Sequence, residues 1–440
     1  MKEILEKYWG YSNFRENQEE IIKSILDGKD VLALIKTGGG KSICFQLPAL
    51  LKKGTCIVIS PLISLMQDQV IYLNNKNIKS TFINSSILPN EYKKRLKSIS
   101  EYKILYLSPE GIKSQKIISA LKKIDISFIV FDEAHCISQW GKDFRPEYRN
   151  VINVLLKLNK KFNIIALTAT ANIECQKDII KTLNLDNPHI VKSSFNRENI
   201  FIGVKKFWTN FGKYIFIKKL LKNSNKSIIY CSTRAETEYL SKKIGKDSYY
   251  YHAGMSNEER EYIQEKFRNS EYKILFATTA FGMGIDIPNI DNVIYWNFPS
   301  SIEDYYQGIG RAGRDKNIKA KSFLLYTNED IKNQFSLIKK DFDIKNIKDI
   351  LKLLKENIST NVISKKYNTI LVRRIMNLLE QGKSEDDIFP IICQEHNNKI
   401  LNFEKLKKFV KTKNCYRKEL LKFFDEDFKI NCNNCSNCYK

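Results

Sequence analysis

VLALIKTGGGKSICFQLPALL, residues 31–51, is the stretch on which the fold turns. Five apolar residues, 31–35, end in the glycine-rich TGGGKS at 37–42, and a helical-looking ICFQLPALL follows. A strand that feeds a run of glycines and then a helix lets backbone N–H groups turn inward around a phosphate, and the helix N-terminus adds a favourable dipole. Thr37, Gly38, Gly39 and Gly40 are expected to form that cradle. Lys41 would neutralise the β- and γ-phosphates and Ser42 would hold Mg²⁺. The general motif asks for a glycine five residues before Gly40, and Ile35 stands there. Taken alone, the stretch therefore also fits a Gly-rich strand-to-helix turn with no chemistry.

Working outward, short β-rich runs recur: CIVIS at 56–60, KILYL at 103–107, SFIVF at 127–131 and NIIAL at 163–167, with helical stretches between. This is the pattern of a parallel sheet with crossover helices. The second half repeats it with IFIGV at 200–204, SIIYC at 227–231, KILFAT at 273–278, NVIYW at 292–296 and SFLLY at 322–326. Between the two sets DNPHIVKSSFNREN, 186–199, is polar, carries a proline and reads as a linker. Beyond about residue 330 the strand pattern gives way to Lys-rich helical sequence. The expected domains are 1–195 and 196–335, both α/β, and a mainly helical 336–440. No low-complexity tract or short-period repeat stands out.

DEAHCISQWGKDFRPEY, 132–148, starts where SFIVF ends, so Asp132 and Glu133 sit at the carboxyl end of a strand, where open α/β sheets put their ligands. Asp132 is expected to pair with Mg²⁺ and Glu133 to orient or deprotonate a water. The bland alternative is an acidic helix start. Within a dozen residues come Trp140, Phe144 and Arg145 among polar neighbours. Flat rings of this kind can stack on nucleobases and a guanidinium can meet a phosphate; equally, rings can fill a core.

The 440 residues exceed one ordinary core, and the 43% hydrophobic content argues against disorder. Lys and Arg number 73 against 49 Asp and Glu, a net +24, which favours a polyanionic partner over an acidic small molecule. Biased Lys, Asn and Ile usage could paint the chain basic without such a partner. No signal-peptide core and no apolar run of about 18 residues is present in the sequence, so a soluble intracellular protein is expected, cytoplasmic or nuclear according to the host. Six of the ten cysteines are scattered, while Cys415, Cys432, Cys435 and Cys438 stand as C-x16-C-x2-C-x2-C. Such thiolates fit a closed tetrahedral zinc site of structural type, and the C-x2-C-x2-C spacing also serves iron–sulfur clusters.

The blocks in their order resemble superfamily 2 helicases, and more narrowly the RecQ family of DNA helicases. GYSNFRENQEEII (10–22), TGGGKSICFQLPAL (37–50), SPLISLMQDQV (60–70), LSPE (107–110), DEAHCISQWGKDFRPEY, ALTATA (166–171), YHAGM (251–255), TTAFGMGIDIPNI (278–290) and QGIGRAGRD (307–315) carry the resemblance. It spans roughly residues 5–330 and 415–438. It implies two tandem RecA-like domains followed by a helical zinc-binding domain. Tyr11 would stack on adenine, with Arg15 and Gln18 hydrogen-bonding to it. Ile35-Lys36 replaces the Met-Pro usual before TGGGKS. Thr168 and Thr170 would link the hydrolytic site to the second lobe. Asp286 joins the nucleotide-side residues. Gln307, Arg311 and Arg314 come from the second lobe, with Arg314 the expected arginine finger. The loop bearing Trp140, Phe144 and Arg145 would sense single-stranded DNA a few residues from Glu133.

The implied function is an ATP- and Mg²⁺-dependent helicase moving 3′ to 5′ on single-stranded and tailed duplex DNA, in DNA repair or recombination, with zinc at the four cysteines. An RNA helicase or remodeller, and a non-catalytic DNA-binding module, are the rivals. Residues 345–400 are longer than compact relatives require and read as an insertion. The winged-helix and C-terminal helical domains of larger relatives are expected to be absent.

Overall fold

The computed structural model describes all residues except 37, 85, 139–145, 283–286, 316, 341–343, 357, 381 and 440. The phosphate-loop stretch folds as the sequence predicts. Strand β1 (Val31–Leu34) is buried along its whole length and the helix Lys41–Leu51 begins at the end of the loop. Leu32 and Leu34 enter one core while Val31, Ala33 and Ile35 enter another on the opposite side. Alternate side chains of a strand point to opposite faces, so a strand that is apolar throughout is one covered on both sides.

Around β1 lie β2 (Thr55–Ile59), β3 (Ser80–Ile83), β4 (Ile104–Leu107), β5 (Ile126–Phe131), β6 (Ile164–Thr168) and β7 (His189–Lys192). They make one parallel sheet in the order β3-β4-β2-β5-β6-β1-β7. A second parallel sheet holds β8 (Ile200–Lys206), β9 (Ser227–Tyr230), β10 (Ser248–Tyr251), β11 (Ile274–Ala277), β12 (Asn292–Tyr295) and β13 (Ala320–Tyr326), in the order β10-β11-β9-β12-β13-β8.

Ten of these strands coincide with the predicted runs. The other three are β3, β7 and β10, and each is an outer strand of its sheet. The β7 result corrects the reading of 186–199 as linker throughout: His189–Lys192 pairs with β1 and closes the first sheet, leaving only 193–199 between the two sheets.

The C-terminal region is helical, as expected. The helices Ile344–Lys355, Thr360–Lys366, Thr369–Glu380 and the first half of Glu385–Lys411 share a core of their own, built on Ile347, Ile350, Ile375 and Ile388. The second half of Glu385–Lys411 turns Phe403, Leu406 and Phe409 into the large core of the sheets. Among the described residues no helix is long and apolar enough to cross a membrane.

Candidate active site and metal centre

Loops at the carboxyl ends of β1 and β5 meet the helix Ile302–Ile309 and the turn after it from the second sheet, enclosing a cleft of about 870 Å³. Tyr11, Arg15, Gly38, Gly39, Gly40, Lys41, Ser42, Asp132, Glu133, Gln307, Arg311 and Arg314 all line it. Residues from positions 11 to 314 thus converge on one volume.

The loop owes its shape to its supports. Gly40 has φ 81°, and a Cβ there would stand 2.4 Å from Gln18 Nε2, so only glycine fits. Gln18 Nε2 donates to Gly40 O at 3.0 Å, and its Oε1 accepts from Arg15 N at 2.8 Å. Arg15 Nη1 donates to Gly38 O at 2.7 Å, and the guanidinium lies 5.9 Å from the Tyr11 ring centroid. Gln18 is buried and stands behind the loop, whereas Tyr11 is exposed at the cleft edge.

Lys41 Nζ donates to Glu133 Oε1 at 2.8 Å. Burial opposes the charge of Lys41, but the Glu133 and Asp132 carboxylates outweigh it and raise its pKa. Glu133 is the mirror case: burial pushes it up, and Lys41, with His135 and Arg311 adding positive charge, holds it below its ordinary value. Asp132 is pushed up to about 6, because burial exceeds the help from Lys41 and Glu133 repels its charge. Two adjacent carboxyls thus titrate far apart. Asp132 is fixed by its N–H, which donates to Ile59 O at 2.9 Å, and by Tyr148, whose hydroxyl bonds to the Asp132 carbonyl.

Beyond Glu133 a polar chain leads inward. His135 Nδ1 lies 3.4 Å from Glu133 Oε2 and 3.0 Å from Thr168 Oγ1, and Thr168 Oγ1 accepts from Thr170 N at 3.1 Å. His135 and Tyr148 were not singled out from sequence, although both stand inside the quoted DEAH stretch. Arg197 was missed too. It lines the cleft from within the supposed linker, donating to Gly310 O at 3.3 Å, Ala312 O at 2.9 Å and Gly313 O at 2.6 Å. These are the carbonyls just ahead of Arg314. Arg314 Cγ is 3.6 Å from where a Cβ on Gly38 would stand, so the second sheet's arginine faces the phosphate loop across the cleft. Burial, then repulsion from Arg197, brings its pKa down to about 10, and it stays charged near neutrality. Thr37, Trp140, Phe144, Arg145 and Asp286 lie outside the described residues.

Cys415, Cys432, Cys435 and Cys438 come together, their sulfurs all within 4.8 Å of one another. A tetrahedral ion with bonds of ~2.3 Å sets sulfurs about 3.8 Å apart, so the four fit one metal. Burial pushes Cys432 up to about 12. Cys435 is buried as well, but N–H groups of Cys438, Tyr416 and Asn437 outweigh burial and bring it to about 7, the direction a thiolate ligand needs. The loop docks on the outer strand β8: Ile202 N donates to Asn434 O at 3.2 Å and Ser436 N to Ile202 O at 2.9 Å. No histidine or carboxylate joins this set among the described residues.

Two RecA-like sheets with a phosphate loop and an acidic pair on one, arginines on the other, and a cleft between them define the superfamily 2 helicase architecture. Residues 15–179 match the DEAD/DEAH box helicase family, 212–316 the helicase conserved C-terminal domain and 372–439 the RecQ zinc-binding domain. The chain is 41% identical over 361 residues to the ATP-dependent DNA helicase RecQ of Bacillus subtilis, covering 80% of this chain and 60% of that protein. It is 33% identical over 458 residues to the Bacillus subtilis helicase RecS, covering all of this chain and 92% of RecS. The Mycobacterium smegmatis helicase Lhr shares the fold at TM-score 0.61 and 17% identity, over 77% of this chain and 49% of that one. The chain belongs to the RecQ family. It spans about 60% of the Bacillus subtilis RecQ. The match to the RecQ zinc-binding domain favours zinc over an iron–sulfur cluster at the four cysteines.

Proposed function

We propose that this chain is an ATP-dependent DNA helicase that couples hydrolysis in the interlobe cleft to 3′-to-5′ movement along single-stranded DNA. The observation that carries the reading is the convergence of Lys41, Asp132 and Glu133 with Gln307, Arg311 and Arg314 on one cleft. In the proposed cycle ATP phosphates draw Lys41 away from Glu133. With that counter-charge turned to phosphate, Glu133 rises toward the range of a general base for water. Ser42 and Asp132 would hold Mg²⁺, which supplies charge neutralisation on the phosphates. Arg314 would meet the negative charge that builds on the γ-phosphate when the lobes close. Tyr11 would face the adenine and Arg15 and Gln18 would assist, Gln18 by giving up or sharing its bond to the loop.

The domains proposed are 1–195, 196–335 and 336–440. Trp140, Phe144 and Arg145 are proposed to contact single-stranded DNA. Trp140→Ala is then expected to lower DNA-stimulated ATPase activity more than basal activity. Equal loss of both would mean that the ring fills a core. We further propose a role in DNA repair or recombination and a preference for tailed duplexes.

The test measures ATPase rate with and without single-stranded DNA or RNA, then strand displacement on 3′-tailed, 5′-tailed and blunt duplexes. DNA-dependent turnover with unwinding of the 3′-tailed duplex is expected. A rate indifferent to DNA would reject the motor, and stimulation by RNA alone would make it an RNA helicase.

A further inference from the structure

The helices from Ile344 to the first half of Glu385–Lys411 form a unit that contributes no residue to the lining of the cleft. Its apolar core is separate from those of the sheets, and it meets them through the helix Glu385–Lys411 and through Asn377, whose Nδ2 donates to Glu147 Oε1 at 2.7 Å. A segment that spends ten buried apolar residues on a core of its own is present for its surface.

That surface is strongly basic. Residues 344–383 hold nine Lys and Arg against three Asp and Glu. The excess is also ordered in space. On the helix Ile344–Lys355, Lys345, Lys348, Lys352 and Lys355 recur at spacings of three and four, on the side away from buried Ile347, Ile350 and Leu351. Lys365 and Lys366 are exposed at the end of the next helix, and Arg373 on the third. Lys355 pairs with Glu385 at 2.9 Å, while Lys348, Lys352, Lys365 and Lys366 carry no ion pair among the described residues. The three helices are locked as a rigid group: Thr360–Lys366 and Thr369–Glu380 are joined by two residues, and Tyr367 between them donates its hydroxyl to Asp349 at 3.2 Å.

We propose that this lysine face is a binding surface for the phosphate backbone of duplex DNA, held beside the first lobe. The inference rests on the helicase reading and adds a second contact, with the duplex rather than with the single strand along which the motor moves. From Lys345 to Lys355 the helix runs about 15 Å, along which a duplex presents roughly nine phosphate charges. Among the described residues the face offers cations and no exposed aromatic ring; Tyr367 is half-buried and hydrogen-bonded. Binding of unstacked single strands relies on such rings, so a fixed row of cations suits a regular double helix better. Through Asn377 and Glu147 the unit is tied to the first lobe.

The test uses the full chain with Lys348, Lys352, Lys365 and Lys366 all changed to Glu, and a second variant with all four changed to Gln. Affinity for a blunt DNA duplex is read by fluorescence anisotropy across a salt series without nucleotide, beside ATPase activity with a short single-stranded oligonucleotide. Expected are a loss of at least tenfold in duplex affinity for the Glu variant, a smaller loss for the Gln variant, and a salt slope shallower by roughly two to four. Oligonucleotide-stimulated ATPase activity should stay within twofold of the parent. Unchanged duplex affinity and slope overturn the proposal, as does equal loss of ATPase stimulation, which would assign the lysines to the motor's strand path. A parent protein that prefers duplex RNA of the same sequence would overturn the choice of DNA. If the parent binds duplex through these lysines but its ATPase activity ignores single strands, the helicase reading fails and this one stands.

Discussion

Glu133 and Asp132 are neighbours in the chain with opposite electrostatics, and their difference makes two separable predictions. Glu133→Gln keeps the shape and the hydrogen bond to Lys41 while removing the base, so nucleotide binding should persist and turnover fall by roughly 10²–10⁴. Single-turnover hydrolysis beside equilibrium binding of an ATP analogue checks this; normal turnover would remove Glu133 from the role. Asp132 has its pKa raised to about 6 by burial and would have to be ionised to take its proposed place on Mg²⁺. Protonation therefore competes with the metal as pH falls through about 6, and kcat/KM should show an acid limb there. More Mg²⁺ should carry that limb to lower pH, because metal and proton share one site. A limb indifferent to Mg²⁺ would place the titration elsewhere. That the loop and the acidic pair line one cleft was legible because each is defined by a few consecutive letters. The chain from Glu133 through His135 to Thr168 was not, since its partners are 33 residues apart and join only when β5 and β6 lie side by side.

At the scale of elements, the strands that escaped the sequence reading are β3, β7 and β10, all at sheet edges. A central strand is covered on both faces and reads as an unbroken apolar run; HIVK and SYYY are partly wet and dilute the signal, whereas STFI is mostly buried and is masked by its own Ser80 and Thr81. The exception proves informative. β8 is also an outer strand, yet IFIGV was legible, and it is the edge on which the four-cysteine loop adds its backbone bonds. That loop and the helix before it also hold 193–199. Arg417 Nη1 donates to Asn196 Oδ1 at 2.9 Å and to Arg197 O at 2.7 Å, Glu426 accepts from Phe195 N at 2.6 Å, and Phe424 stacks on Phe195 with centroids 4.6 Å apart. The zinc element thus grips the crossing between lobes. Arg417 is 3% exposed, so Arg417→Ala strips buried carbonyls of a charged donor and should cost about 2–3 kcal/mol. Thermal unfolding would report this as a Tm lower by several degrees, and chelation of zinc should lower it in the same direction. A variant with parental Tm would show that the grip adds nothing to stability.

For the molecule as a whole, the question is what makes two sheets share one cleft. The first carries the loop residues Gly38–Ser42 and the pair Asp132 and Glu133 that are proposed to bind a triphosphate, and the second carries Arg311 and Arg314 on the turn after the helix Ile302–Ile309. Arg197 sits between them, bonding to three carbonyls of that turn while belonging to the segment that the zinc element holds. The arginines are therefore oriented against the same short crossing that lies between the lobes, and Arg314 faces Gly38 of the phosphate loop. Binding and turnover should then come apart by lobe. Lys41→Ala removes the cation buried beside the phosphate site and should weaken nucleotide binding itself. Arg314→Ala removes a charge that matters only as negative charge develops between closed lobes, so affinity for an ATP analogue should stay within a few-fold while kcat falls by about 10³. Equilibrium titration with a fluorescent ATP analogue and single-turnover rates at saturating single-stranded DNA separate the two effects. Parallel loss of affinity and rate in Arg314→Ala would make that arginine a binding residue of an already closed site, and lobe closure would no longer be the step that turns hydrolysis on.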